Sequence, residues 1–83
     1  MDIREVFARN LRKRRHAVKL SQEELAHRAE IDRTYISALE RSVYAASIDV
    51  VDRLATVLEI LASDLLVQPT NRERRTGLAR GER

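Results

Sequence analysis

No cysteine occurs in the chain, so a disulfide framework and a thiolate metal site are excluded, as suits a reducing cytoplasm. Tryptophan is absent as well, and Phe7, Tyr35 and Tyr44 are the only aromatic residues. With two glycines and one proline, the chain lacks the turn and strand chemistry of a sheet or a repeat array. Long apolar runs are also missing. The richest stretch, Val50 to Val67, is interrupted by Asp52, Arg53, Glu59 and Asp64, and "MDIREVF" has no basic-then-apolar signal-peptide profile. No membrane span is expected. There is no Gly-rich phosphate loop and no Gly-x-Ser-x-Gly elbow, and His16 and His27 have no second ligand at metal spacing. An enzyme is therefore not expected, nor a metal, a cofactor or a small-molecule effector.

What remains is the composition of a small helical protein. Forty-three per cent of the 83 residues are hydrophobic, enough for one domain whose core is marginal unless a second copy adds surface. The expectation is an all-α fold. The net charge of +3 misleads if read alone: residues 1–67 hold eleven Lys and Arg against eleven Asp and Glu, and the tail 68–83 supplies the excess with five Arg and two Glu. Within the first part the signs still segregate, since Arg9 to Lys19 holds six bases and no acid, whereas Asp49 to Asp64 holds four acids and one base. Such an asymmetry orients a protein on a polyanion.

Ile3, Val6, Phe7, Leu11 and Val18 recur at helical spacing, which predicts one amphipathic helix over residues 2 to about 18, with Asp2 at its positive end. Ser21 and Glu24 have the spacing of a reciprocal capping box, so a short helix runs from Gln22 to Ala29. Asp32 is the next N-cap and starts a third helix at Arg33, with Ile36 and Leu39 inward. Ser47 caps a fourth, with Ile48, Val51, Leu54, Ala55 and Leu58 inward, and "ASDLLV" offers a last short helix before Pro69. Glu23 and Glu24 open a helix, which is a poor setting for acid–base catalysis.

Two helices joined by about three residues form a helix-turn-helix, which presents the second helix outward. On that helix Arg33, Thr34, Ser37, Ala38 and Arg41 fall in one arc of about 140°, opposite Ile36 and Leu39. An α-helix enters the DNA major groove only when such a face is short and polar. Arg33 can present its fork to guanine, Thr34 a hydroxyl or a methyl, and Ser37 a short bivalent hydroxyl, while Ala38 leaves room or meets a methyl. Arg41, Ser42, Tyr44 and the hydroxyl of Tyr35 lie where phosphates are expected, as does Gln22 at the positive end of the second helix. Arg12 is a further phosphate candidate from the basic stretch.

"LSQEELAHRAEIDRTYISALER" followed by "SIDVVDRLATVLEI" resembles the Cro/C1-type helix-turn-helix family, and "DRTYIS.LER" resembles more narrowly the controller proteins of restriction–modification systems. The resemblance covers about Leu11 to Leu66. It implies a five-helix bundle that dimerises on operator DNA, with Gln22 on phosphate and Arg33, Thr34 and Ser37 on base edges. It also implies an internal ion pair of Arg15 with Glu40. The latter sits at the edge of the inward arc, where a bidentate arginine would neutralise it near DNA. The family often has glycine where this chain has Lys19, Glu30 and Ser42, and proline where Ala46 stands; positive φ there would cost on the order of 1 kcal/mol each. Leu61 replaces a polar cap, so the last helix is expected to start at Ser63.

Val50, Val57, Leu61 and Leu65 exceed what one core face needs and are assigned to a two-fold interface. The expected organisation is therefore a DNA-binding and dimerisation domain over 1–67 and a basic, disordered tail over 68–83. The reading is a homodimeric bacterial or phage transcription regulator, acting on the nucleoid in the cytoplasm and binding double-stranded DNA at a pseudo-palindrome, with restriction–modification control as its pathway. The rival class is a protein–protein module, either an antitoxin-like partner-binding protein or a helical adaptor.

Overall fold

The computed structural model describes residues 2–68, so the expected basic tail lies, but for Gln68, outside the described residues. Four α-helices follow one another, α1 (Ile3–Ala17), α2 (Gln22–Ala29), α3 (Arg33–Glu40) and α4 (Ile48–Leu58), and a 3-10 helix, η1 (Ala62–Leu66), closes the described chain. The architecture is all-helical, with no strand among the described residues. The expected fifth α-helix is replaced by η1, which starts one residue earlier than Ser63. Five residues ending at the extended Val67 are too few for an α-helical nucleus, and Asp64 ties the turn by accepting the Leu61 N–H at 3.0 Å.

Each α-helix starts where a side chain can accept from its free N–H groups. Asp2 and Glu5 form a full capping box on α1, and Ser21, Asp32 and Ser47 cap α2, α3 and α4. The reciprocal box expected at α2 forms by half. Ser21 accepts the Glu24 N–H at 2.9 Å, but the Glu24 carboxylate turns outward toward Arg28, 3.8 Å away.

The helix ends share one solution. Lys19, Glu30, Ser42 and Glu59 all have φ between 58° and 63°, and the residue after each donates back five positions, from Leu20 to Arg15, Ile31 to Ala26, Val43 to Ala38 and Ile60 to Ala55. These are Schellman turns made without glycine. In three of them the aliphatic residue after the left-handed one packs on or joins the core, namely Leu20, Ile31 and Ile60.

Phe7, Leu11, Leu25, Ile36, Leu39, Leu54, Leu58 and Leu65 build a single core. Side chains of α1 then bind the negative ends of the other elements: Arg12 donates to the Glu40 carbonyl, Arg14 to the Leu58 carbonyl at 3.1 Å, and Asn10 to the Leu65 and Val67 carbonyls, both at 2.9 Å. Arg53 of α4 reaches the Ala29 and Glu30 carbonyls at the end of α2. Arg12 and Arg14 of the basic stretch thus act as C-terminal caps, favourable both as charge-assisted hydrogen bonds and against the helix dipole.

Two apolar expectations are corrected. Ile48, expected inward, is 86% exposed, because the first turn of α4 runs past the edge of the core and no described residue covers it. Leu65 was assigned to an interface, yet it is fully buried, because the tight turn of η1 points it back between α1 and α4.

Candidate nucleic-acid interface

The link between α2 and α3 is Glu30, Ile31 and Asp32. Its left-handed Glu30 turns the chain sharply, and the half-buried Ile31 anchors the turn. Asp32 then starts α3 by accepting the Thr34 N–H at 2.8 Å, and it also accepts the Thr34 hydroxyl. That hydroxyl bond first, and the backbone bond second, hold the Asp32 carboxyl below the usual carboxylate range. Because its proton is engaged with Asp32, the hydroxyl of the exposed Thr34 is left to accept rather than donate.

Arg33, Thr34 and Arg41 are exposed and Ser37 is half-buried, forming one polar arc of about 100°. Arg33 makes no ion pair with any described residue. Arg41 Nε donates back to the Ser37 carbonyl at 3.3 Å. The arc is narrower than the sequence suggested. Ala38, expected among the base readers, is 5% exposed, since the chain returning from α3 covers it with the bond from the Val43 N–H to its carbonyl.

The remaining predicted residues divide into two groups. Tyr35 packs half-buried on the core and Tyr44 is exposed beside it, with ring centroids 6.2 Å apart and planes at 39°. Ser42, half-buried and left-handed, connects α3 to that pair. The second group converges on Glu40. Its buried carboxylate accepts Arg15 Nε at 2.7 Å and Nη2 at 2.9 Å, and Gln22 Nε2 at 3.0 Å. The Glu40 hydrogen bond raises the Arg15 pKa above its ordinary value. Arg15 Nη1 also holds the Leu20 carbonyl at 3.0 Å. Gln22 and Arg12, both expected on phosphate, are therefore tied to Glu40, one through its carboxylate and the other through its carbonyl.

Away from this face, Ile48, Leu61 and Leu66 are exposed, with Leu61 at 69%. Ile48 and Leu66 line a shallow apolar groove with Val51 and Ala62, bordered by Asp49 and Asp52. Val50 and Val57, expected at an interface, are half-buried against the core. Among the described residues no three His, Cys, Asp or Glu side chains converge as metal ligands, and no helix is long and apolar enough to cross a membrane.

Residues 11–65 match the helix-turn-helix family model HTH_3. Control protein C.SmaI of Serratia marcescens is 37% identical over 68 residues, which cover 82% of this chain and 81% of that protein. Among solved structures, the hypothetical transcription factor NHTF from Neisseria superposes with a TM-score of 0.84 at 38% identity, covering 88% of this chain and 84% of that one. The restriction–modification controller protein C.AhdI from Aeromonas hydrophila gives 0.73 at 37% identity, covering 75% and 94%.

Proposed function

That the chain belongs to the Cro/C1-type helix-turn-helix family is the premise from which we propose how it acts: as a homodimer that reads a pseudo-palindromic operator with α3 in the major groove. It is a DNA-binding transcription regulator, and its relatives are regulators rather than catalysts. The observation that carries the mode of binding is the outward arc of α3, which holds Arg33, Thr34, Ser37 and Arg41 and no acid. Arg33 supplies the fork for guanine, Thr34 a methyl for thymine or an acceptor for an amino group, and Ser37 a short hydroxyl. Arg41, Gln22, Ser42, Tyr35, Tyr44 and Arg12 border the arc and serve the phosphates, fixing register rather than sequence.

The test is selection of bound genomic fragments by the purified protein, repeated with Arg33→Ala. A pseudo-palindrome is expected, and the variant is expected to lose about 1–3 kcal/mol on it while preference relaxes at one base pair. Equal loss on operator and random DNA would remove Arg33 from base reading. No enrichment by either protein would move the function to a partner-binding module.

The dimer is proposed to close over Ile48, Leu61 and Leu66, with Val50 and Val57 beside them. This patch is apolar and uncovered in a domain whose core is small. Leu65 is not part of it. Replacing Ile48 and Leu61 together by Glu is expected to give monomers with the helical signal unchanged, because neither side chain supports the core. An unaltered sedimentation coefficient sinks this interface. Two recognition helices about 34 Å apart then meet half-sites one turn apart. Control of a restriction–modification system is the proposed pathway, supported by the likeness to C.SmaI and C.AhdI. Restriction and methylation genes beside the coding sequence, and an operator ahead of them, are the check.

A further inference from the structure

The geometry points to Glu40 as the positioning residue of the phosphate clamp, acting through the side-chain amide of Gln22. This rests on the proposed role of Gln22 at DNA and adds what holds it there.

Gln22 is the first residue of α2, where the leading backbone N–H groups have no carbonyl partner within the helix. Its side-chain nitrogen carries two N–H groups. One is directed at Glu40 Oε1, 3.0 Å away, which fixes the amide plane and leaves the second N–H without a partner among the described residues. Without that bond Gln22 would be a rotamer-rich side chain at the surface, and a phosphate would have to order it on binding. With it the donor is ordered in the free protein.

The acceptor is suited to this task. Glu40 is buried on α3, and Arg15 of α1 engages both carboxylate oxygens, so the charge near the DNA backbone is neutralised while a lone pair remains for Gln22. The residue that orients the clamp on α2 therefore belongs to the helix that reads bases. Register on the phosphates and placement of α3 share one centre, to which Arg12 adds a bond at the Glu40 carbonyl.

A double-mutant cycle on DNA binding separates positioning from folding. Gln22→Ala is measured in the natural background and in one where Arg15→Met and Glu40→Leu replace the buried pair by apolar side chains, a change that leaves net charge unaltered. The probe is a short random-sequence duplex at fixed low salt, because a phosphate contact does not need the operator. Gln22→Ala is expected to weaken binding about ten-fold in the natural background and about two-fold or less in the other. Equal losses in both backgrounds overturn the role of Glu40. No loss in the natural background overturns the clamp itself, and the operator test of Arg33 is untouched by that result. A second measurement needs no variant: one Gln22 side-chain amide proton of the unmodified protein should resonate at a downfield, carboxylate-bonded shift, both free and on the duplex. Both protons at the shifts of an unbonded glutamine amide overturn the proposal.

Discussion

Glu40→Ala is expected to cost about 3–5 kcal/mol, a large part of the roughly 5–10 kcal/mol that a domain of this size has. The loss arises because truncation leaves the Arg15 guanidinium buried without its bidentate partner and also strips the Gln22 amide of its acceptor. A urea titration should show the midpoint collapse with the slope retained. Arg15→Lys should fall between the two, since an ammonium cannot make the two parallel bonds. Replacing both partners by Met and Leu should be nearly neutral, because the cost of desolvating the charges vanishes with them. A single-site loss below about 1 kcal/mol would mean that the pair behaves as a surface bridge. The contribution should not vary through neutral pH. Glu40 raises the Arg15 pKa, so on the alkaline side the stabilisation is present up to the ordinary arginine value and fades as pH rises through the raised one.

The second large effect runs the other way. Lys19, Glu30, Ser42 and Glu59 hold left-handed backbone, where a Cβ costs about 1 kcal/mol and glycine costs least. All four replaced by Gly should add about 2–4 kcal/mol and raise the melting temperature by on the order of 10 °C or more. The four sites lie at separate helix ends, so the gains should add. Glu30→Ala and Glu59→Ala serve as controls. They remove a negative charge from the negative end of a helix but keep the Cβ, so they should recover only the dipole part, a few tenths of a kcal/mol. If Ala and Gly stabilise equally, backbone strain is not the cause. Of the four, only Ser42→Gly alters a residue of the proposed phosphate set, so DNA affinity is compared with and without it.

The starts of the helices were legible because each carries a side chain with an acceptor at the right offset. Ser21, Asp32 and Ser47 fixed α2, α3 and α4 to the residue. The ends were harder, since their conformations are not announced by glycine. The resemblance marked Lys19, Glu30 and Ser42, and Glu59 went unmarked, although a polar residue followed by an aliphatic one after each helix is a signal common to all four. Ile48 and Leu65 were misplaced for one reason: periodicity tells which side of a helix a residue occupies but not how far the neighbouring elements extend to cover it. Ala38 failed likewise, being covered by the loop that returns from its own helix. The capping by Asn10, Arg12 and Arg14 lay hidden in a stretch that looked like a cationic surface, because main-chain carbonyls leave no trace in a sequence.

The same caps bear on how the protein is made. Asn10, Arg12 and Arg14 bind carbonyls that lie 28 to 57 residues later in the chain. On a ribosome adding about 5–20 residues per second, α1 emerges first and waits roughly 3–10 s for its last partners. Until Glu40 and then Leu58 have emerged, Arg12 and Arg14 lack the carbonyls they cap. Only when Leu65 and Val67 have cleared the exit tunnel can Asn10 draw the C-terminal turn onto α1.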